Sequence, residues 1–200
     1  MDEFWDQLRE KGGWWDPIYS FGQQNRIFRN PSRRFEFYSL TLRKKLDKPD
    51  DVACLPHYEP PVFNGDKEQF PFHLNIVRLM PQAKGRDANL PFLQQILGPH
   101  VAMRWESWVE INPESARRLG IADGDLIWIE SPAGKQKAVA KWYAGAMPNV
   151  VNMPANMGHD AYGRWAKGIG VNPMQIAAQE SDRLAGTEAR QATRVRIYKA

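Results

Sequence analysis

The 200-residue chain has one cysteine, Cys54, so neither an internal disulfide nor a thiolate cluster can form within it. No apolar run approaches the length of roughly 18 residues that spans a bilayer as a helix. The opening Met1-Asp2-Glu3-Phe4 is acidic and lacks the apolar stretch of a secretory signal, so an exported parent would carry its signal elsewhere. There is no Lys/Arg block of the kind that makes a nucleic-acid arm, and nucleic acid is not an expected partner. Also missing are a Walker sequence, a strand-linked G-x-G-x-x-G, a G-x-S-x-G elbow, His-x-x-x-His and Cys-x-x-Cys. His57, His73, His100 and His159 are scattered, which argues against a metal centre.

What is present describes a compact, loop-rich fold. Hydrophobic residues make up 42% and charged residues 25%, ordinary globular usage. Eight Trp and 15 Pro disfavour a helical bundle. The net charge of +4 leans toward anionic partners, and Arg outnumbers Lys in the C-terminal half, which suits bidentate phosphate contact.

Residues 1–46 read as a first unit. Phe4, Trp5 and Leu8 make the stripe of a short amphipathic helix that Gly12-Gly13 ends, and Trp14 to Tyr19 reads as a loop. Arg33 to Leu40 alternates Phe35 and Phe37 and is expected as a strand; Leu40 to Lys48 is helix-compatible. Residues 47–70 hold Pro49, Pro56, Pro60 and Pro61, a density that excludes regular helix and predicts a strap-like linker.

Residues 71–200 read as one mainly β domain. Strands are expected at Phe72–Met80, Ser107–Ile111, Leu126–Glu130, Gln136–Tyr143, Val150–Met153 and Arg194–Tyr198. Leu90 to Leu97 is a short helix candidate. Asn112 caps a second helix with Pro113 at its first position, and Gly120 stops it. Asp123-Gly124-Asp125 and Ser131–Gly134 are turns. Strands joined by short turns describe a closed barrel better than a layered α/β fold.

Two segments carry chemistry. Arg78 to Asn89 leaves a strand with Arg78, Lys84 and Arg86, and reads either as a pyrophosphate-binding loop or as a solvated connection. Met153 to Pro173 gathers His159, Tyr162, Arg164, Trp165 and Asn172, and reads either as a polar-heterocycle site or as an aromatic-stapled surface loop.

The run Trp108 to Trp142 resembles the molybdopterin-dinucleotide-binding domain that closes catalytic subunits of the dimethyl sulfoxide reductase superfamily. Strand, capped helix, Gly stop, Asp-Gly-Asp turn and hairpin agree in order and spacing. GHDAYGRWAKGIGVNP (residues 158–173) looks most like the polysulfide, thiosulfate and tetrathionate reductase branch, and Asn89-Leu90-Pro91-Phe92-Leu93 resembles that branch's Asn-Asn-Pro-Trp-Leu. Arg29 to Ser39 resembles the segment that precedes the final domain. The resemblance implies a double-psi β-barrel with short peripheral helices, gripping molybdopterin guanine dinucleotide in its bis form. Arg78, Met80, Gln82, Arg86 and Asn89 would meet a nucleotide arm. Gly158, His159, Tyr162, Gly163, Arg164 and Asn172 would line pterin and phosphates, and Gln191 and Thr193 would contact the pterin. The family usually has His or Ser near Gly85 and Arg86, and this chain departs from it there.

In that family the iron–sulfur cysteines and the molybdenum ligand lie in earlier domains, so no cluster is expected in this chain. The implied partners are those domains, an iron–sulfur electron-transfer subunit and a membrane anchor. The cellular side is not fixed by these residues. The expected role is cofactor binding within a respiratory, sulfur-compound reductase, without catalysis by the chain alone. The competing expectations are a metal-free structural subunit of a respiratory complex and, less favoured, a free-standing barrel with unrelated activity.

Overall fold

The computed structural model describes residues 2–13, 21–96, 103–182 and 186–200. The expected loop at Trp14–Tyr19, the end of the helix candidate at Leu97, and His100 lie outside the described residues. The chain divides into two compact units, Met1–Pro60 and Pro61–Ala200.

Among the described residues the first unit holds four helices. Helix α1 (Asp2–Lys11) buries none of its residues, so its apolar stripe is exposed. Gly12, at φ +69°, ends it. Helix α2 is Gln24–Ile27. Helix α3 (Leu40–Lys45) starts where the Ser39 hydroxyl accepts from the Leu42 N–H at 3.2 Å. Helix α4 (Asp51–Cys54) is capped by Asp50, whose carboxylate accepts from the Ala53 N–H at 2.7 Å.

Two expectations fail in this unit. The strand expected at Arg33–Leu40 is absent: Arg33 turns at φ +53°, Asn30 Nδ2 donates to the Arg34 carbonyl at 2.7 Å, and Ser32 Oγ takes the Arg34 N–H. Period-two Phe35 and Phe37 instead stack edge-to-face on each other, with Phe28 against Phe35. A lone strand needs a neighbour for its backbone groups, and among the described residues this unit supplies none. The linker expected to lack helix contains α4, because the gap between Pro49 and Pro56 is long enough for one capped turn.

The second unit is a closed barrel in the order β1-β5-β2-β4-β3-β6, bearing the mainly β architecture expected from the sequence. Its strands are β1 (Phe72–Val77), β2 (Trp108–Ile111), β3 (Leu126–Ser131), β4 (Gly134–Trp142), β5 (Val150–Pro154) and β6 (Arg194–Lys199). β1 runs parallel to β5 and β2 parallel to β4; the other neighbours are antiparallel. Alternation sends Phe72, Leu74, Ile76, Ile127, Ile129, Ala138, Ala140, Val151, Met153, Val195 and Ile197 into one core. Each fully buried Leu, Ile or Val contributes about 1.5–3 kcal/mol.

Short helices sit around the barrel: α5 (Pro91–Gln95), α6 (Pro113–Arg118) and α7 (Gly163–Ala166). The Asn112 side chain accepts from the Glu114 N–H at 3.0 Å and donates to the Ala146 carbonyl at 2.9 Å, which ties the start of α6 to the barrel. The Asp-Gly-Asp turn is locked by charge. Asp123 accepts from Lys141 Nζ and the Trp142 N–H, and Asp125 pairs with Lys199 at 2.8 Å. In the β3–β4 hairpin, Ser131 Oγ accepts from the Ala133 N–H and donates to the Ile176 carbonyl.

Candidate functional site

Parallel pairing of β1 with β5 makes both strands end at the same rim, where Val77 stands beside Pro154. The two segments singled out in the sequence leave the barrel from these adjacent ends. Residues 190–192 arrive there too: the Leu74 N–H donates to the Thr193 carbonyl, and the Ile76 N–H donates to Gln191 Oε1 at 3.4 Å.

Side chains stitch the 78–89 and 155–173 segments together. The Tyr162 hydroxyl donates to the Arg86 carbonyl, and Asn156 Nδ2 donates to Gln82 Oε1. Asn89 Oδ1 accepts from the Trp165 N–H at 2.8 Å. Three glycines permit the closeness. A Cβ on Gly158 would stand 2.2 Å from the Asn172 nitrogen, one on Gly163 2.2 Å from Asn89 Nδ2, and one on Gly85 3.3 Å from His159 Nε2. All three have positive φ.

The segments enclose a cleft of about 800 Å³ lined by Arg78, Leu79, Ala83, Gly85, Arg86, His159 and Tyr162. A smaller space of about 260 Å³ shares Arg78, Gly85 and His159 and adds Asn156, Asn172, Glu188 and Arg190 among others. The larger volume lies in the range of small-molecule sites, about 300–1,000 Å³. Two guanidinium groups, Arg78 and Arg86, line the larger space, and Arg190 pairs with Glu188 at 3.0 Å in the smaller one. The His159 and Tyr162 rings lie 5.2 Å apart, between centroids.

Three buried polar atoms around this cleft have no hydrogen-bond partner in the protein: Gln82 Nε2, Asn156 Oδ1 and His159 Nε2. A buried polar atom left unpaired costs about 1–3 kcal/mol. His159 and Asn156 line the two spaces, and Gln82 bonds to Asn156.

The residues expected from sequence separate into groups. Arg78, Arg86, His159, Tyr162 and Asn172 line the two spaces, and Gln82 reaches them through Asn156. Gly163 and Asn89 hold the two segments against each other, and Gly158 lets the 155–173 segment fold closely on itself at Val171 and Asn172. The Thr193 hydroxyl is fully engaged, accepting from the Ala178 N–H at 2.7 Å and donating to the Arg190 carbonyl at 2.9 Å. Gln191 is exposed and bonds to β1. Met80 is 97% exposed, and the Arg164 guanidinium lies 4.3 Å over the Trp165 ring; neither lines the cleft. Sequence reasoning missed Asn156, Glu188 and Arg190. Asn156 carried a signal, since it follows β5 directly within Pro154-Ala155-Asn156.

Among the described residues no group of three or more His, Cys, Asp or Glu could hold a metal ion. The cleft, lined by cations and rings, lies at one rim of the six-stranded barrel.

The pattern of the molydopterin dinucleotide binding domain family matches residues 99–194. The chain belongs to this family, as the C-terminal molybdopterin-dinucleotide-binding domain of the dimethyl sulfoxide reductase superfamily. It is 32% identical to the arsenate respiratory reductase molybdopterin-containing subunit ArrA of Shewanella sp. (strain ANA-3), over 92% of this chain and 25% of that protein. It is 28% identical to the menaquinone reductase, molybdopterin-binding-like subunit of Nitratidesulfovibrio vulgaris, over 65% of this chain and 19% of that one. The acetylene hydratase from Pelobacter acetylenicus superposes with a TM-score of 0.65 at 18% identity, over 85% of this chain and 24% of that chain, and so shares its fold. The chain spans about a quarter of the length of these curated reductase relatives.

Proposed function

We propose that the chain is the cofactor-binding portion of a respiratory molybdenum oxidoreductase, and that its rim cleft holds the diphosphate and adjoining rings of molybdopterin guanine dinucleotide. The observation that carries this is the pairing of cations with orphaned polar atoms around one cleft: Arg78 and Arg86 with Gln82 Nε2, Asn156 Oδ1 and His159 Nε2. The residues fit such a group. Guanidinium forks match phosphate oxygens, and a heterocycle edge supplies the donors and acceptors that the unpaired atoms lack. Gly85, with no side chain beyond Cα, lets Asn156 and His159 pack close against the 78–89 segment at the cleft wall.

When bound, the cofactor supplies the redox chemistry of its metal centre. The residues here bind and orient it. Arg78 and Arg86 neutralise the diphosphate. Tyr162 fixes the Arg86 backbone through its hydroxyl. His159 and Tyr162 shield the ring side of the cleft from water. The bis form would complete its cage with preceding domains, and a membrane anchor and an iron–sulfur subunit would deliver electrons to it. The loop at residues 158–173 supports a sulfur-compound reductase as the parent, while the wide match to an arsenate respiratory reductase supports an oxyanion reductase.

A second reading is a metal-free structural subunit, favoured by the likeness to a subunit whose name is molybdopterin-binding-like. Purifying the natural assembly and measuring molybdenum and tungsten together with acid-released guanine nucleotide separates the two. The first reading expects metal and nucleotide in the native protein and depletion of both on Arg78→Ala or Arg86→Ala. Native protein holding neither would establish the second.

A further inference from the structure

Arg190, absent from the residues expected at the site, lines the smaller space, which Arg78 lines as well. It sits in a 3-10 turn, Arg190–Ala192, just before β6. Two bonds hold that turn. The Thr193 hydroxyl donates to the Arg190 carbonyl while accepting from the Ala178 N–H, and the Ala192 N–H donates to the Ala189 carbonyl. Thr193, 1% exposed, is thus an anchor for Arg190.

Among the described residues, Glu188 is the only carboxylate in the lining of either space. It stands on a ladder rung with Ser181, flanked by bonds from the Ala189 N–H to the Glu180 carbonyl and from the Asp182 N–H to the Thr187 carbonyl. A carboxylate in the wall of an anion cleft repels the ligand unless its charge is neutralised. Here the Glu188 carboxylate meets Arg190 Nη1 at 3.0 Å. The Arg190 side chain is 18% exposed and that of Glu188 55%, so the cation is fixed and the anion is the partner free to leave.

We infer that Arg190 is a further phosphate-binding cation of the cleft and that Glu188 is its displaceable counter-ion, so that an anionic ligand enters in exchange for the Glu188–Arg190 pair. The inference rests on the diphosphate reading of the cleft. It assigns a pyrophosphate span from Arg86 through Arg78 to Arg190, and it makes Glu188 a brake on affinity. The exchange moves no covalent bond and no proton: one carboxylate oxygen leaves the guanidinium and one phosphate oxygen takes its place.

Calorimetric titration of the 200-residue chain with inorganic pyrophosphate tests this, using Arg78→Ala, Arg190→Ala, Arg190→Lys and Glu188→Gln. Arg190→Ala is expected to weaken binding about tenfold or more, the loss of a charge-assisted contact. Arg190→Lys, which keeps charge without the fork, should fall between it and the native chain. Glu188→Gln should tighten binding about two- to fivefold, the worth of a half-exposed ion pair. Midpoints of urea unfolding matching the native chain identify these as binding effects, and Glu188→Gln and Arg190→Lys carry the test if Arg190→Ala unfolds. Should Arg78→Ala weaken binding while the Arg190 and Glu188 variants titrate like the native chain, the inference falls and the cleft reading stands. Should Arg78→Ala itself bind like the native chain, or the native chain bind no pyrophosphate, the cleft reading falls and takes the inference with it.

Discussion

Replacing Gly158 by alanine strikes the crossing on which the cleft depends. Gly158 has φ +81°, where an L side chain costs about 1–2 kcal/mol. Its added Cβ would stand 2.2 Å from the Asn172 nitrogen and 2.4 Å from the Val171 carbonyl carbon. Both are backbone atoms, so rotamer change offers no relief, and the two arms of the 155–173 loop must part by about 1 Å. Overpacking of this kind costs about 1–3 kcal/mol. Parting the segments also strains the Gly158 N–H bond to the Ile169 carbonyl, worth about 1 kcal/mol. The expected loss is about 3–6 kcal/mol. Gly120 provides the control: its φ is +68°, but nothing lies within 4 Å of its added Cβ, so Gly120→Ala should cost only the backbone strain. Urea unfolding followed by circular dichroism gives both values. If the two variants differed by less than about 0.5 kcal/mol, the reasoning that a backbone clash at Gly158 governs this loop would be refuted.

Other consequences are open to the same assay. Thr193→Val removes a hydroxyl that satisfies the Ala178 N–H and the Arg190 carbonyl, and should cost about 1–3 kcal/mol while loosening pyrophosphate binding; equal stability would show that the anchor is unimportant. Gln82→Leu strips Asn156 of its one partner and should destabilise by about 1–3 kcal/mol, whereas Gln82→Leu combined with Asn156→Leu should cost less than Gln82→Leu alone; a larger loss in the double variant would contradict this. Bonds from Arg196 and then Tyr198 hold the Glu130 carboxyl below its ordinary value. For Asp123, burial pushes the value up, and the Lys141 ammonium and Trp142 N–H outweigh it to leave the net shift downward. Depressed carboxyl values favour the fold above the unfolded value of about 4 and lose that favour as pH falls through the folded values. Urea midpoints should therefore hold steady above about pH 5 and drop on further acidification, less steeply in Glu130→Gln; an unaltered slope in that variant would be evidence against the linkage.

The barrel was legible because its strands carry their own signal. Alternating Ile127 and Ile129, or Leu74 and Ile76, need only one buried face to read as strand, and the Asn112 cap and Gly120 stop bracket α6. The same period misleads at Phe35 and Phe37, since alternation says nothing about whether a neighbour exists to pair with. The cleft was half legible. Its two segments stood out by charge and ring content, but which of their residues face the space depends on the β1–β5 pairing, which joins segments 77 residues apart, as at His73 and Val150. Arg190 was invisible for that reason: it reaches the rim through the antiparallel approach of β6 to β1. Gly158, Gly163 and Thr193 stood out as ligand contacts, and the structure gives each a packing or anchoring task.

The central claim is that the rim cleft takes a nucleotide diphosphate. Amide chemical-shift mapping during titration with guanosine diphosphate tests it most directly. On binding, the amides of residues 78–79, 82–86, 156–159, 172 and 190 should shift together along one saturating curve, while those of the β3–β4 hairpin stay still. Unmoved cleft amides, with shifts gathered at the hairpin or absent at millimolar ligand, would contradict it.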